Sequence, residues 1–223
     1  MARSNSGYIG PYILPSDISA VSGIHSLAAQ QQLQGSSRWN SVYENLSTSL
    51  SLTGNLTATY ANPTSVSIFK TSGGSAWDNS ARGTVGYTAP CTIEFNKLAD
   101  AGDNSVSYAM IGWNEDPTAN NSYDTLDYAA YPYATSSYSV YHNGTNISPL
   151  VSSWSTAQKW YVVYTTAGHI KHYNGSTLMY NQTGYGAGKT VYFDTSFYAV
   201  NAVYGGFSNI RILRKEWNGT AYI

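Results

Sequence analysis

The chain has 223 residues, a net charge of −1 and only 10% charged side chains, where a soluble domain usually carries roughly 25%. Nucleic acid and anionic membranes need clustered Lys and Arg, so neither is an expected partner. No apolar run is long enough for membrane insertion. The 21 Tyr and 6 Trp favour strands and argue against disorder.

Cysteine usage and the first residues bear on where the protein works. Cys91 is the only cysteine, so no intrachain disulfide can form. Residues 1–7 lack the apolar core of a signal peptide. Asn-X-Ser/Thr sequences are either glycosylation sites or chance matches in a chain rich in these residues, and we favour chance because no secretion signal is visible. The composition suits a surface that faces the environment without ordinary secretion, as in virions released by lysis.

Residues 1–38 form an N-terminal arm with its own pattern. Gly7, Gly10, Pro11 and Pro15 predict an extended stretch. One short helix, or two broken turns because Gly23 interrupts the pattern, is expected to start near Asp17 and to end at Gly35. The helix packs either on its own domain or on a neighbouring subunit, and the docking residues predicted in the arm are Tyr8, Tyr12, Ile18, Val21, Ile24 and Leu27.

In residues 39–223 apolar and polar side chains alternate with a period of two, which predicts a β-domain. Ile93 and Phe95 alternate with Glu94 and Asn96, as in a strand with one buried face. Residues 108–113 and 160–164 are apolar at every position, which is typical of inner strands. Short strands of this kind, separated by turn residues, predict an antiparallel sandwich.

Three turns and one long loop organise this domain. Ala167-Gly168 and Asn174-Gly175 divide residues 159–181 into a three-stranded meander, and Asn143-Gly144 marks another hairpin. Residues 112–132 have no clear period and are rich in Asn and Asp. They predict a long loop that leaves a central strand, and such loops often carry function.

Two stretches resemble known families. Residues 108–113 with the following loop, 159–175 and 206–212 together resemble the concanavalin A-like sandwich of the laminin-G and lectin kind. That resemblance implies an all-β, antiparallel jelly-roll fold. The arm from Tyr8 to Trp39, with Ser26-Leu27 and a Gln-rich run, is similar to N-terminal segments of tailed-phage structural proteins. It implies a virion location, other virion proteins as partners, and a homo-oligomer, with a trimer favoured.

No catalytic pattern is present, so we expect neither an enzyme nor a cofactor. Glucanases of this class use paired carboxylates in a Glu-x-Asp-x-x-Glu strand, and none of the four Glu matches it: Glu44, Glu94, Glu115 and Glu216. The chain has no Gly-x-Ser-x-Gly elbow. His169 and His172, three residues apart on an expected strand, indicate surface or packing histidines.

Aromatic and amide side chains in and after the long loop predict a glycan-binding site. Sugars stack their CH faces on rings and pair their hydroxyls with amides and carboxylates. The alternative is that these aromatics pack the core or a subunit interface. The candidate residues are Trp113, Asn114, Asp116, Asn121, Tyr123, Asp124, Tyr128, Tyr131 and Tyr133. Asp124 and Asp127 are candidate Ca²⁺ ligands, with ordinary turn formation as the alternative.

These observations predict a phage virion protein, exposed on the particle and assembled in the host cytoplasm. The first hypothesis is a tail-fibre or receptor-binding component whose lectin-like sandwich contacts host-surface glycans. The second is a capsid decoration or fibre-scaffold protein with no receptor role. The third is a polysaccharide-degrading enzyme.

Overall fold

The computed structural model describes residues 43–98, 108–133, 137–151, 157–198 and 206–223. These residues belong to a unit that spans Tyr43–Ile223. The described segments contain no helix long and apolar enough to cross a membrane. The arm lies outside them, together with each of its predicted docking residues: Tyr8, Tyr12, Ile18, Val21, Ile24 and Leu27.

Strands separated by turns account for almost all regular structure in the described residues. Two short 3-10 turns, Leu46–Thr48 and Tyr123–Thr125, are the exceptions. The strands are β1 (Leu50–Leu52), β2 (Leu56–Asn62), β3 (Ser65–Lys70), β4 (Ala81–Gly83), β5 (Gly86–Tyr87), β6 (Cys91–Lys97), β7 (Ala109–Asn114), β8 (Tyr128–Tyr133), β9 (Ser137–His142), β10 (Thr145–Val151), β11 (Lys159–Tyr164), β12 (Ile170–Asn174), β13 (Thr177–Gln182), β14 (Val191–Phe197) and β15 (Gly206–Leu213).

Two antiparallel sheets form the domain. The front sheet has six strands in the order β10-β9-β8-β7-β14-β5. The back sheet has seven, in the order β13-β12-β11-β6-β15-β3-β2. A two-stranded ribbon of β1 and β4 is separate from both. Neighbours that are distant in sequence, such as β6 beside β11 and β15, give the non-local pairing of a sandwich.

The core lies between the sheets and is rich in aromatic residues. Trp113 of β7 is fully buried, and its Nε1 donates to the Val162 carbonyl oxygen of β11 at 3.2 Å. The Tyr138 ring of β9 stacks on Trp160 of β11 at 4.5 Å with an interplanar angle of 5°. Rings that reach across in this way hold the two sheets in register, because each fills a space that belongs to the opposite sheet.

The hairpin predictions are confirmed. β11, β12 and β13 pair as the three-stranded meander expected over residues 159–181. Asn143 and Gly144, with φ of 46° and 74°, join β9 to β10. Both central residues of this tight turn need positive φ, which Asn and Gly tolerate best.

The long-loop prediction is too wide at both ends. β7 continues to Asn114, and Tyr128–Tyr133 forms β8, so the loop is shorter than 112–132. Pro132 and the small residues before it obscured the strand in the sequence. His169 lies in the turn before β12, and His172 is fully buried.

The outer face of the back sheet is covered by the C-terminal segment. Trp217 stacks on Tyr161 of β11 at 4.6 Å, and the Tyr222 hydroxyl donates to Glu94 of β6. Glu94 is only 2% exposed and forms an ion pair with Lys159 at 2.8 Å. The polar residues of β6 are therefore buried as well, although their alternation with apolar residues predicts a solvent-facing side.

Candidate functional site

The outer face of the front sheet carries a row of large side chains. Met110 of β7, Tyr131 of β8 and Tyr141 of β9 point away from the core, because side chains alternate along a strand and their neighbours face inward. Those inward-facing neighbours are Ile111, Ala130 and Val140. The three outward residues form the floor of a surface depression.

Loop residues complete this depression. Trp77 lies between β3 and β4, Tyr108 precedes β7, Tyr123 lies between β7 and β8, and Tyr198 follows β14. With the floor residues they line a volume of about 350 Å³. We call these seven residues, Trp77, Tyr108, Met110, Tyr123, Tyr131, Tyr141 and Tyr198, the aromatic cup. Its volume falls within the range of roughly 300–1,000 Å³ typical of small-ligand pockets.

Contacts between rings fix the shape of the cup. The Trp77 ring centroid lies 4.8 Å from that of Tyr123, 5.5 Å from Tyr198 and 6.1 Å from Tyr131. Tyr141 meets Tyr131 edge to face at 5.5 Å. Tilted and edge-to-face pairs at these distances attract each other, so the rings support one another before any ligand arrives.

A buried ammonium group connects two walls of the cup. Lys70, at the end of β3, is fully buried, and its Nζ lies 2.9 Å from the Gly74 carbonyl oxygen and 2.9 Å from Asp78 Oδ1. The Ala76 and Tyr198 carbonyl oxygens lie 3.3 Å and 3.2 Å from the same nitrogen. Lys70 therefore fixes the loop that bears Trp77 and the backbone that bears Tyr198.

Asn121 fixes the loop that bears Tyr123. Its backbone carbonyl accepts a hydrogen bond from Ser196 Oγ of β14 at 2.8 Å. Its side-chain oxygen lies 3.2 Å from Thr53 Oγ1 and 3.0 Å from Ser80 Oγ. The loop is tied to the front sheet and to the ends of β1 and β4, and the Tyr123–Thr125 turn follows directly.

A polar pair lies on the same face of the front sheet. Asn114 Nδ2 of β7 donates to Asp194 Oδ2 of β14 at 2.8 Å, and Asn114 Oδ1 accepts from the Asp116 backbone N–H at 2.9 Å. The Thr195 N–H donates to Asp194 Oδ1 at 2.8 Å. Burial raises the pKa of Asp194 to about 7, because the charged carboxylate loses its hydration. This pair connects the start of the loop to the sheet.

The chemistry of the cup is aromatic and uncharged. The described part of its lining consists of one Trp, five Tyr and one Met. Among the described residues, the hydroxyl groups of Tyr108, Tyr123 and Tyr198 have no hydrogen-bond partner. The cup thus offers ring faces for stacking and hydroxyl groups that can both donate and accept.

No protein-family model matches the chain, and no curated protein matches it. Its fold is similar to that of the SPRY domain of human HERC1, with 17% identity over 73% of this chain and 97% of that chain and a TM-score of 0.47. It is also similar to carbohydrate binding module CBM66 from Bacillus subtilis (11% identity, 74% and 96% coverage, TM-score 0.49). A third similar structure is the Emp46p carbohydrate recognition domain in its potassium-bound form (8%, 74% and 88%, TM-score 0.47).

The domain is an all-β antiparallel two-sheet sandwich that resembles concanavalin A-like lectin and SPRY folds. At these identities and TM-scores the likeness extends to architecture alone.

The sandwich brings two of the predicted glycan-binding residues together in the cup, Tyr123 and Tyr131. Asp116 lies at a second depression on the same face. Asn121 supports the loop through its hydrogen bonds, and Asp124 is exposed and lines neither depression. The side chain of Tyr133 lies outside the described residues.

Three other predicted residues are inaccessible to a ligand. Trp113 and Asn114 are 0% exposed and Tyr128 is 3% exposed. Tyr128 stacks on His142 at 4.4 Å and meets Tyr185 edge to face. The aromatic pair Trp113 and Tyr128 packs the core, and Asn114 pairs with Asp194, so none of the three belongs to the site.

The cup also contains residues that the sequence alone did not identify as site residues. They are Trp77, Tyr108, Met110, Tyr141 and Tyr198. Trp77 carried a usable signal, because a lone Trp directly after the turn-forming residues 72–76 has no strand pattern that would bury it. The others come from three separate segments, and only strand pairing shows that they meet.

The calcium candidates do not converge. Asp127 Oδ2 accepts a hydrogen bond from the Glu115 backbone N–H at 2.6 Å, and Asp124 is exposed in the 3-10 turn. Within the part of the chain that the structure describes, no three His, Cys, Asp or Glu side chains are grouped so that they could hold a metal ion. The contact of Asp127 joins residues 12 positions apart and closes the base of the loop after β7.

Proposed function

We propose that this protein binds carbohydrate without cleaving it, and that the sugar occupies the aromatic cup. The observation that carries the proposal is the cup itself: six aromatic rings and Met110 gathered from six parts of the chain around about 350 Å³. Core aromatics have no need to form an open depression on an outer sheet face. Met110 and Tyr131 are buried at its floor, and the other five side chains are partly exposed around it. A concave, mostly aromatic site with a few polar groups is the usual form of a small-ligand pocket.

The chemistry of the cup matches that of a sugar. A pyranose ring has apolar CH faces, which gain by stacking on Trp77 or a tyrosine ring. It also has hydroxyl groups, which pair with the hydroxyls of Tyr108, Tyr123 and Tyr198. Because Lys70 and Asn121 already fix the walls, little conformational entropy is lost when a ligand binds.

A glycan array with the full chain tests the proposal, and the Trp77→Ala variant locates the site. We expect binding to a defined set of glycans, and an affinity at least about tenfold lower in the variant, which corresponds to ~1.4 kcal/mol. Trp217→Ala is the matched control, because Trp217 also stacks in an aromatic cluster but lies on the back sheet. Its glycan binding should equal that of the wild type.

Two results would overturn the proposal. One is the absence of binding to any glycan by a folded wild-type chain. The other is an equal loss of glycan binding in the Trp77→Ala and Trp217→Ala variants, which would indicate a general effect on folding. Thermal melting of each variant separates loss of the site from loss of the domain.

The non-catalytic part of the proposal rests on the cup lining, where the described residues include no ionisable acid–base groups other than tyrosine. Glycoside hydrolysis ordinarily needs two carboxylates on either side of the scissile bond. We expect no release of reducing ends from a bound polysaccharide. Release that disappears in Glu115→Gln would make the protein an enzyme, because Glu115 lies at the neighbouring depression.

A virion location is also part of the proposal, and it is supported by the sequence alone. The arm of residues 1–38 resembles N-terminal segments of tailed-phage structural proteins, and the composition suits a particle surface. We propose a tail-fibre or receptor-binding role, in an oligomer. Labelled antibody on purified particles should mark the tail tip or fibre, whereas a regular label over the head would favour the decoration alternative.

A further inference from the structure

A second depression lies on the same outer face as the cup. It encloses about 600 Å³, and its polar lining includes Arg82, Thr84, Glu115, Asp116, Thr118 and Tyr192. Tyr192 of β14 faces outward because its neighbours Val191 and Phe193 belong to the core. We call this depression the polar groove.

Two segments of the chain contribute to both depressions. In the loop after β7, Glu115 to Thr118 line the groove and Tyr123 lines the cup. The second segment follows β3. It contributes Trp77 to the cup and then, in β4, Arg82 to the groove. From Met110 at the cup floor to Asn114 beside the groove, β7 rises about 13 Å at ~3.3 Å per residue. Both side chains are buried, and the loop after β7 crosses this part of the sheet, where the Asn121 carbonyl oxygen accepts from Ser196 Oγ. A ligand that reaches both depressions therefore passes over this loop, and an oligosaccharide is long enough to do so, whereas a single sugar is not.

The charges in the groove leave one donor and one acceptor for a ligand. Glu115 Oε1 is 2.5 Å from Lys189 Nζ, so its charge is compensated. Arg82 Nη1 donates to the Pro117 carbonyl oxygen at 2.8 Å, which orients the guanidinium while its other nitrogens stay available. The Asp116 carboxylate makes no hydrogen bond or ion pair with any described residue.

A guanidinium and a carboxylate in one groove match the hydroxyl groups of a sugar, which donate and accept at once. Arg82 and Asp116 carry opposite charges and Glu115 is paired with Lys189, so the groove has no excess positive charge to compensate a uronic acid or a sulfated sugar. The groove therefore selects neutral, hydroxyl-rich ligands.

We propose that the groove is a second subsite, and that the ligand is a neutral polysaccharide with one sugar in the cup and a further sugar against Arg82 and Asp116. This inference rests on the proposed function of the cup. It adds the size and the charge class of the ligand, and it assigns binding roles to Arg82 and Asp116.

Calorimetric titration tests the inference. The ligands are neutral glucan, mannan and galactan series, each from the monosaccharide to the hexasaccharide. We expect the wild-type affinity for the series that binds to rise at least about tenfold with chain length. In Asp116→Ala the hexasaccharide should bind about tenfold more weakly than to the wild type, with a larger loss than for the monosaccharide. Asp124→Ala is the matched control, because this exposed Asp of the same loop lines neither depression, and its affinities should equal those of the wild type.

The outcomes separate this inference from the proposed function. Binding that depends on Trp77 but not on chain length or Asp116 overturns the second subsite and leaves the cup in place. Uronic-acid oligomers that bind as tightly as neutral ones overturn the charge selection. A wild type that binds none of the series overturns both proposals.

Discussion

Lys70 Nζ lies 2.9 Å from Asp78 Oδ1, and this pair anchors the Trp77 wall of the aromatic cup. The lysine side chain is fully buried, whereas the aspartate side chain is 56% exposed. The ammonium group also contacts backbone carbonyls of the Trp77 loop and the Tyr198 carbonyl. A residue of the back sheet thus shapes a site on the front sheet.

Replacement of this lysine should affect both stability and binding. Lys70→Met removes the charged hydrogen bonds that the buried ammonium group makes to Asp78 and three carbonyl oxygens, which we expect to cost about 3 kcal/mol in the free energy of unfolding. Sugar affinity should fall as well, because two walls lose their anchor. Urea denaturation and calorimetric titration measure the two effects.

Lys171→Met is the control for this prediction. Lys171 pairs with Glu216 at 3.6 Å near the outer face of the back sheet, and such partly exposed pairs contribute less than about 1 kcal/mol. Its sugar affinity should remain that of the wild type. A Lys70 variant with unchanged sugar affinity would show that the walls keep their positions without the lysine.

A hydrogen bond in the core provides the second prediction. The Tyr138 hydroxyl lies 2.6 Å from His172 Nδ1, and burial lowers the pKa of His172 to about 3, so the ring is neutral. Tyr138→Phe and His172→Phe each leave one buried polar group unpaired, at a cost of about 1–3 kcal/mol. The double variant removes both groups.

The double variant should therefore be less destabilised than the sum of the single variants, by about 1 kcal/mol or more. Denaturant unfolding of the four proteins gives this coupling energy. Additive effects would mean that the hydroxyl and the imidazole contribute only through packing.

The buried carboxyl of Asp194 provides a pH-dependent prediction. Its pKa is about 7 in the folded protein, above the ordinary value of 3.8, because burial disfavours the charge. The folded state thus keeps a proton that the unfolded chain has released. The stability that this group contributes is present below about pH 4 and is lost as the pH rises through about 7.

Asp194→Asn removes this titration. Between about pH 5 and pH 8 the melting temperature of the wild type should fall relative to that of the variant. His172 is present in both proteins, so its titration cancels in the difference. A constant difference in melting temperature over this range would contradict the raised pKa.

The fold was largely predictable because its signals are local. The period-two alternation around Ile93, the Asn143-Gly144 turn and the meander over 159–181 depend on a few neighbouring residues. The strand Tyr128–Tyr133 was hidden, because Pro132 and two alanines weaken a strand pattern. The back-sheet cover by Trp217 and Tyr222 depends on tertiary contacts that no local pattern contains.

The site was predictable only in part, because most of its residues meet through tertiary contacts. Tyr123 and Tyr131 lie in the region that composition singled out. Trp113 stands only three residues beyond Met110, yet alternation sends it to the core and Met110 to the cup. Tyr198 becomes a wall of the cup only because β14 pairs with β7. Which aromatic residues face a ligand is therefore decided by strand register.

The most direct test of the account is nuclear magnetic resonance of the indole N–H groups during titration with the oligosaccharide that binds. The Trp77 signal is assigned from its loss in Trp77→Phe, and the Trp217 signal is assigned in the same way. The account predicts a saturable shift of the Trp77 signal, while the Trp217 signal stays in place. A saturable shift of Trp217 with Trp77 unchanged would place the sugar on the back sheet and contradict the central claim.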